Sequence, residues 1–99
     1  MGFKAKKDDK KEDKYMHLVV GGELVGGGYF GKENQHAWFT VQERDSGIKL
    51  NFKLFDATDK QKETLEGCDE IDVEFTITYS KDKNGNIVTV LRADELEAV

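Results

Sequence analysis

The stretch "HAWFTVQERDSGIKLNFKLF", His36 to Phe55, alternates apolar and polar residues on both sides of a single turn. Ala37, Phe39 and Val41 fall on one face, and Trp38, Thr40 and Gln42 on the other. Asp45-Ser46-Gly47 then reads as a tight hairpin turn. Beyond it Ile48, Leu50, Phe52 and Leu54 face one way, and Lys49, Asn51, Lys53 and Phe55 the other. Successive side chains on a strand point to opposite faces, so a period of two means one buried and one open face. An antiparallel sheet covered on one side provides that environment.

Downstream the period changes once. "TDKQKETLEG" has the capping-box spacing, Thr58 to Gln61, and ends on Gly67. It predicts one short helix between Ala57 and Gly67, with Leu65 as its main apolar contact. "EIDVEFTITY" returns to alternation, with Ile71, Val73, Phe75 and Ile77 inward and Tyr79 in a structural role. Asn84-Gly85 marks a second hairpin turn, and "IVTVLR" is the last strand. "ADELEAV" is expected to be a short acidic tail or a single helical turn.

Upstream lies "VVGGELVGGGYFGKE", Val19 to Glu33, with glycines near the spacing of two nucleotide-binding motifs. Both motifs need a helix directly after the glycines, whose N-terminus and loop amides hold phosphate. Here the glycines lead into "ENQHAWFTV", a loop and a strand, and Glu33 follows Lys32 where a P-loop needs Ser or Thr. A nucleotide site is therefore excluded. "HLVV" and "ELV" read instead as one strand interrupted at Gly21-Gly22 by a kink or bulge. Gly26-Gly27-Gly28 is then expected to form a mobile loop carrying Tyr29, Phe30 and Lys32. The order β-β-β-α-β-β with a kinked first strand predicts an all-β, five-stranded antiparallel OB-fold barrel, with its one short helix between strands three and four.

Composition narrows the function classes. "KAKKDDKKEDK", Lys4 to Lys14, has no apolar side chain but Ala5, so residues 1–14 are expected to be a disordered charged arm before an OB domain over 15–99. That arm carries six lysines and four acids, whereas residues 15–99 carry nine basic and sixteen acidic groups, a net −7. The acidic barrel argues against binding driven by bulk charge. No apolar run approaches a membrane span or a signal peptide, and a cytoplasmic location is expected. With a single cysteine, Cys68, no internal disulfide can form. His17 and His36 lack partners at ligand spacing, so neither a metal nor another cofactor is expected. No nucleophile–base pair is visible, which points away from an enzyme.

The chain resembles the single-stranded DNA-binding proteins of bacteria and their phages. The likeness covers about residues 16–92 and rests on "HLVVGGELV", "AWFTVQ", "FKLFDA" and "LEGCDEIDVEFTITYSKDKNGNIVTVL" in that order. It implies a non-enzymatic module that carries single-stranded DNA, or RNA, across the open face of strands two and three. Bases would stack on aromatic residues, Trp38 and Phe55 here. Lys49 and Lys53 would flank them, with Tyr29, Phe30 and Lys32 closing over. An oligomer is compatible with this resemblance, but its order is not implied. The other reading is an OB-fold adaptor without nucleic acid, docking a protein partner through the eight acids between Asp56 and Glu74.

Overall fold

The computed structural model describes residues 18–99, so the arm expected over 1–14 and His17 lie outside the described residues. Five strands and one helix follow in the order β1 (Leu18–Phe30), β2 (His36–Glu43), β3 (Lys49–Leu54), α1 (Asp59–Gly67), β4 (Glu70–Lys81) and β5 (Ile87–Ala98). They close into a barrel with the neighbour order β1-β2-β3-β5-β4, and β4 pairs back onto β1. This is an OB-like barrel. Four seams are antiparallel; the fifth, β3 to β5, is parallel and short, with Phe52 opposite Leu91 and Lys53 opposite Arg92. The parallel seam is forced by topology, because β5 meets β3 only after the chain has crossed the barrel end through α1 and β4.

The β2–β3 hairpin keeps the register its alternation implies. Ala37, Phe39 and Val41 stand opposite Leu54, Phe52 and Leu50, and the first five of these six are essentially sealed from solvent. Phe39 stacks on Phe52 at 5.3 Å between ring centroids, and Phe75 meets Phe52 edge-on at 5.0 Å. Ile71, Val73 and Ala93 complete the buried cluster. Truncating a core phenylalanine of this kind costs about 3–5 kcal/mol. Thr76 is the polar exception in this interior, and its hydroxyl donates to Asp94 Oδ2 at 2.7 Å. The helix starts where its capping box places it: Gln61 N–H donates to Thr58 Oγ1, and Thr58 N–H donates to Gln61 Oε1.

Four local expectations are corrected. Gly26-Gly27-Gly28 is not a loop but the middle of β1, held by antiparallel pairing to Thr40, Phe39 and Trp38. The bulge lies at Val25, between the pairs Leu24–Val41 and Gly26–Thr40, rather than at Gly21-Gly22. Those two glycines answer close approach instead: a Cβ on Gly22 would stand 1.9 Å from the Gln42 carbonyl oxygen, and one on Gly21 would stand 2.1 Å from Asp72 Oδ1. "ADELEAV" is neither tail nor helical turn, since β5 runs on through Ala98 and the Val99 amide still donates to the Glu70 carbonyl at 3.1 Å. Its helix-favouring composition is overridden by the antiparallel ladder that β4 offers.

The last correction concerns exposure. Ile48 lies in the turn before β3 and is 60% exposed. Ile77 and Tyr79 are left uncovered because β1 stops pairing with β4 at Phe75, and beyond that β4 has only β5 beside it. Tyr79, expected to be structural, is 70% exposed. The β4–β5 hairpin therefore projects past the barrel and ends in a turn organised by Asp82, whose carboxylate accepts the Asn84 and Asn86 amides.

Candidate nucleic-acid interface

Because β2 buries Ala37, Phe39 and Val41 and β3 buries Phe52 and Leu54, their other face is left outward as three registered pairs. Trp38 stands opposite Lys53, Thr40 opposite Asn51, and Gln42 opposite Lys49. The parallel seam brings β5 in beside this face only at its far end, so the two strands diverge from Phe52 and Leu91. Between them opens a groove of about 700 Å³. Phe30, Trp38, Lys49, Asn51 and Lys53 line one side, and Thr89 with its neighbours on β5 lines the other.

Trp38 is 42% exposed. Its indole lies across β1 at Gly28, its register partner, where a Cβ would stand 2.8 Å from the indole Nε1. The glycine run thus contributes to the site through absence of side chain: Gly28 leaves the space the ring occupies. Phe30 extends the apolar surface from the end of β1. Its ring centroid lies 5.1 Å from that of His36 and 6.1 Å from that of Phe55, and His36 meets Phe55 at 5.3 Å. Tilted and edge-on contacts at these separations are the favoured aromatic geometries. Asp56 fixes the cluster from below: its backbone N–H donates to His36 Nδ1 at 3.0 Å, from a residue at φ +53°. With Nδ1 accepting, neutral His36 carries its proton on Nε2. Phe55 sits in the turn after β3, joined to the groove through Phe30 rather than lining it.

The cationic groups follow the same face. Lys53 Nζ stands 5.9 Å from the centroid of the Phe30 ring, within the range of a cation–π contact. Lys49 lies two steps up β3. Arg92, which sequence reading did not single out, stands beside Lys53 in the parallel register. Its placement depends on a seam between strands far apart in sequence, so no local signal reveals it. Asn51 and Thr89 were missed for a related reason, since a polar residue on an open strand face has no mark of its own.

Two expected residues are placed elsewhere. Tyr29, the neighbour of Phe30, turns to the opposite side of β1, where its hydroxyl donates to the Glu66 carboxylate of α1. Lys62 lies over its ring, 5.4 Å from the centroid. The Glu66 hydrogen bond, together with burial and the Glu66 charge, pushes the Tyr29 hydroxyl up to about 12. Lys32 is exposed in the turn after β1, which Gly31 (φ +100°) and Asn34 (φ +57°) shape, and it does not line the groove.

The acids between Asp56 and Glu74 do not form one surface. Asp59, Glu63 and Glu66 belong to α1, whereas Asp72 and Glu74 face outward on β4, opposite Glu97 and Glu95 of β5. Arg44 bridges Glu70 and Asp72, at 3.5 Å to each. Cys68 is half-buried, and burial pushes its thiol up, away from the thiolate a nucleophile needs. Among the described residues no three of His, Cys, Asp and Glu converge as a metal-binding group, and no helix is long and apolar enough to cross a membrane. No family model matches the chain, and no curated protein matches it in sequence.

Proposed function

We propose that this chain binds single-stranded DNA non-sequence-specifically, along the outer face of β2 and β3. The observation that carries this reading is the meeting of Phe30, Trp38, Lys49 and Lys53 in one open groove of an OB-like barrel. An exposed indole accepts any base, because every base has a flat face, and a base so stacked is worth roughly 1–3 kcal/mol. Lys49, Lys53 and Arg92 supply phosphate contacts along the same edge. The resemblance to bacterial and phage single-stranded DNA-binding proteins supports the same use of this face.

Trp38 is the sole tryptophan, so its emission reports on the groove alone. Titration with a thymine oligonucleotide at low salt is expected to quench or shift that emission saturably. An emission that stays constant over the titration sinks the proposal. A second reading, an adaptor for a basic protein surface, is favoured by one observation: two neighbouring pairs of β4 and β5, Asp72 with Glu97 and Glu74 with Glu95, set acid against acid. That reading predicts binding to polylysine-like peptides with no response from Trp38.

A further inference from the structure

Thr40 and Asn51 face each other in register in the middle of the groove face. Thr40 Oγ1 donates to Asn51 Oδ1 at 2.6 Å. An amide is planar, with its oxygen and nitrogen on opposite sides of the same carbon. Holding the oxygen toward β2 therefore turns the Nδ2 group away from β2, toward the groove that Asn51 lines. That nitrogen carries two donors and no acceptor. Asn51 is exposed, and among the described residues no hydrogen bond uses its Nδ2. The neighbouring amide is otherwise engaged: Gln42 Nε2 donates to the Gly47 carbonyl at 3.2 Å. Thr89, across the groove, offers a hydroxyl, which donates or accepts and so discriminates little.

Asn51 also stands at the right distance to meet a stacked base. Trp38 and Thr40 are two residues apart on β2, as are Asn51 and Lys53 on β3, which is a step of about 6.6 Å along a strand. A base lying on the indole, with its phosphate near Lys53, brings its edge over this pair. Bases differ in what that edge presents. Thymine offers carbonyl acceptors alone to such donors, whereas adenine sets its N6 amine beside each ring-nitrogen acceptor, and that amine needs an acceptor which Asn51, with its oxygen held by Thr40, does not turn toward the groove.

We propose that Asn51, fixed by Thr40 as a one-way donor, biases the groove toward bases that carry carbonyl oxygens on their edges, thymine foremost, over adenine. This rests on the single-stranded DNA reading above and adds a base preference to it. The bias is modest, because one neutral hydrogen bond is at stake and stacking remains the larger contribution.

The test measures fluorescence anisotropy of labelled thymine and adenine oligonucleotides of equal length, with wild type, Asn51→Ala, Asn51→Asp and Thr40→Val. Adenine strands stack on themselves, which affects all four proteins alike, so the change in the thymine-to-adenine affinity ratio between variants is the informative quantity. Asn51→Ala is expected to lower that ratio roughly three- to tenfold, the size of one hydrogen bond. Asn51→Asp keeps an acceptor for Thr40 but replaces the donors with a carboxylate. It should weaken both strands and lower the ratio at least as far. Thr40→Val releases the amide to turn its oxygen outward, and the ratio should fall through tighter adenine binding. If wild type binds both strands and the ratio in Asn51→Ala equals that of wild type, the inference is overturned while the DNA reading stands. If wild type binds neither strand, the DNA reading fails and takes this inference with it.

Discussion

On β2 and β3 the outward positions pair Trp38 with Lys53, Thr40 with Asn51 and Gln42 with Lys49, whereas on β4 and β5 they pair Asp72 with Glu97 and Glu74 with Glu95. Both faces come from strands of period two wrapped around one core, and both are open. One is aromatic, amide-bearing and basic; the other is acidic around an exposed Val19 and a half-buried Leu96. Like charges placed directly opposite on neighbouring strands are destabilising. Arg44 offsets part of that cost by bridging Glu70 and Asp72. A division of charge does something the net −7 of residues 15–99 cannot: it leaves one strip where a polyanion is tolerated and repels it from the other side of the barrel. The charge a ligand meets is therefore that of the local face, not the net charge of the barrel.

The largest expected effect lies at the aromatic centre of the first face. Trp38→Ala removes a stacking surface worth about 1–3 kcal/mol per base, which weakens single-stranded DNA binding roughly 5- to 150-fold at every salt concentration. Anisotropy of a labelled thymine oligonucleotide measures it. An affinity within twofold of wild type would remove the indole from the site and dissolve the contrast between the faces.

A smaller effect is expected from the charges on that face. Each phosphate neutralised on a single strand adds about −0.7 to the slope of log affinity against log salt, so contacts at Lys49, Lys53 and Arg92 predict a slope of about −2. Lys49→Ala with Lys53→Ala should flatten it to about −0.7, the share of Arg92. A slope unchanged by the double substitution would mean that phosphates travel elsewhere on the molecule.

The acidic face should respond in stability rather than in binding. Glu97→Gln removes the charge opposite Asp72, which Arg44 only partly balances from 3.5 Å, and is expected to raise stability by less than about 1 kcal/mol. Thermal unfolding at low ionic strength should show the gain, and added salt should erase it by screening. A loss of stability instead would show that this carboxylate holds contacts the barrel needs.

How much of this was legible beforehand differs by element for physical reasons. The β2–β3 hairpin was readable because each strand has one sealed and one open side, so Phe39 and Phe52 against Trp38 and Lys53 could be sorted by parity alone. The capping box at Thr58 was readable because its two hydrogen bonds are local. The glycines of β1 misled, because Gly26 to Gly28 have poor intrinsic strand preference and are extended only through pairing with β2. Parity assigned Ile77 and Tyr79 a face, but it carries no information on where β1 stops covering β4. Arg92 and the Thr40–Asn51 hydrogen bond depend on register between strands, which emerges only when the barrel closes.

The smallest effect separates two adjacent side chains that the groove divides. Phe30 lines the groove, while Tyr29 lies on the other side of β1 and donates its hydroxyl to Glu66 of α1. That hydrogen bond needs the neutral phenol, which is why the hydroxyl is pushed from its ordinary value of 10.0 up to about 12. An unfolded chain releases this proton near pH 10, and the folded one holds it longer, so the contribution to stability is fully present below pH 10 and is lost as pH rises towards 12. The site is largely open to solvent, so the contribution is small. Tyr29→Phe keeps the ring under Lys62 but has no proton to hold. Its unfolding midpoint should therefore lie slightly below that of wild type at pH 9, and the two should converge by about pH 12. Denaturant unfolding at a series of alkaline pH values reads this difference. A gap that persists unchanged to pH 12 would show that the hydroxyl supports the helix by a route other than its hydrogen bond to Glu66. Tyr29 would then have to be placed again relative to α1, independently of Phe30 and the groove.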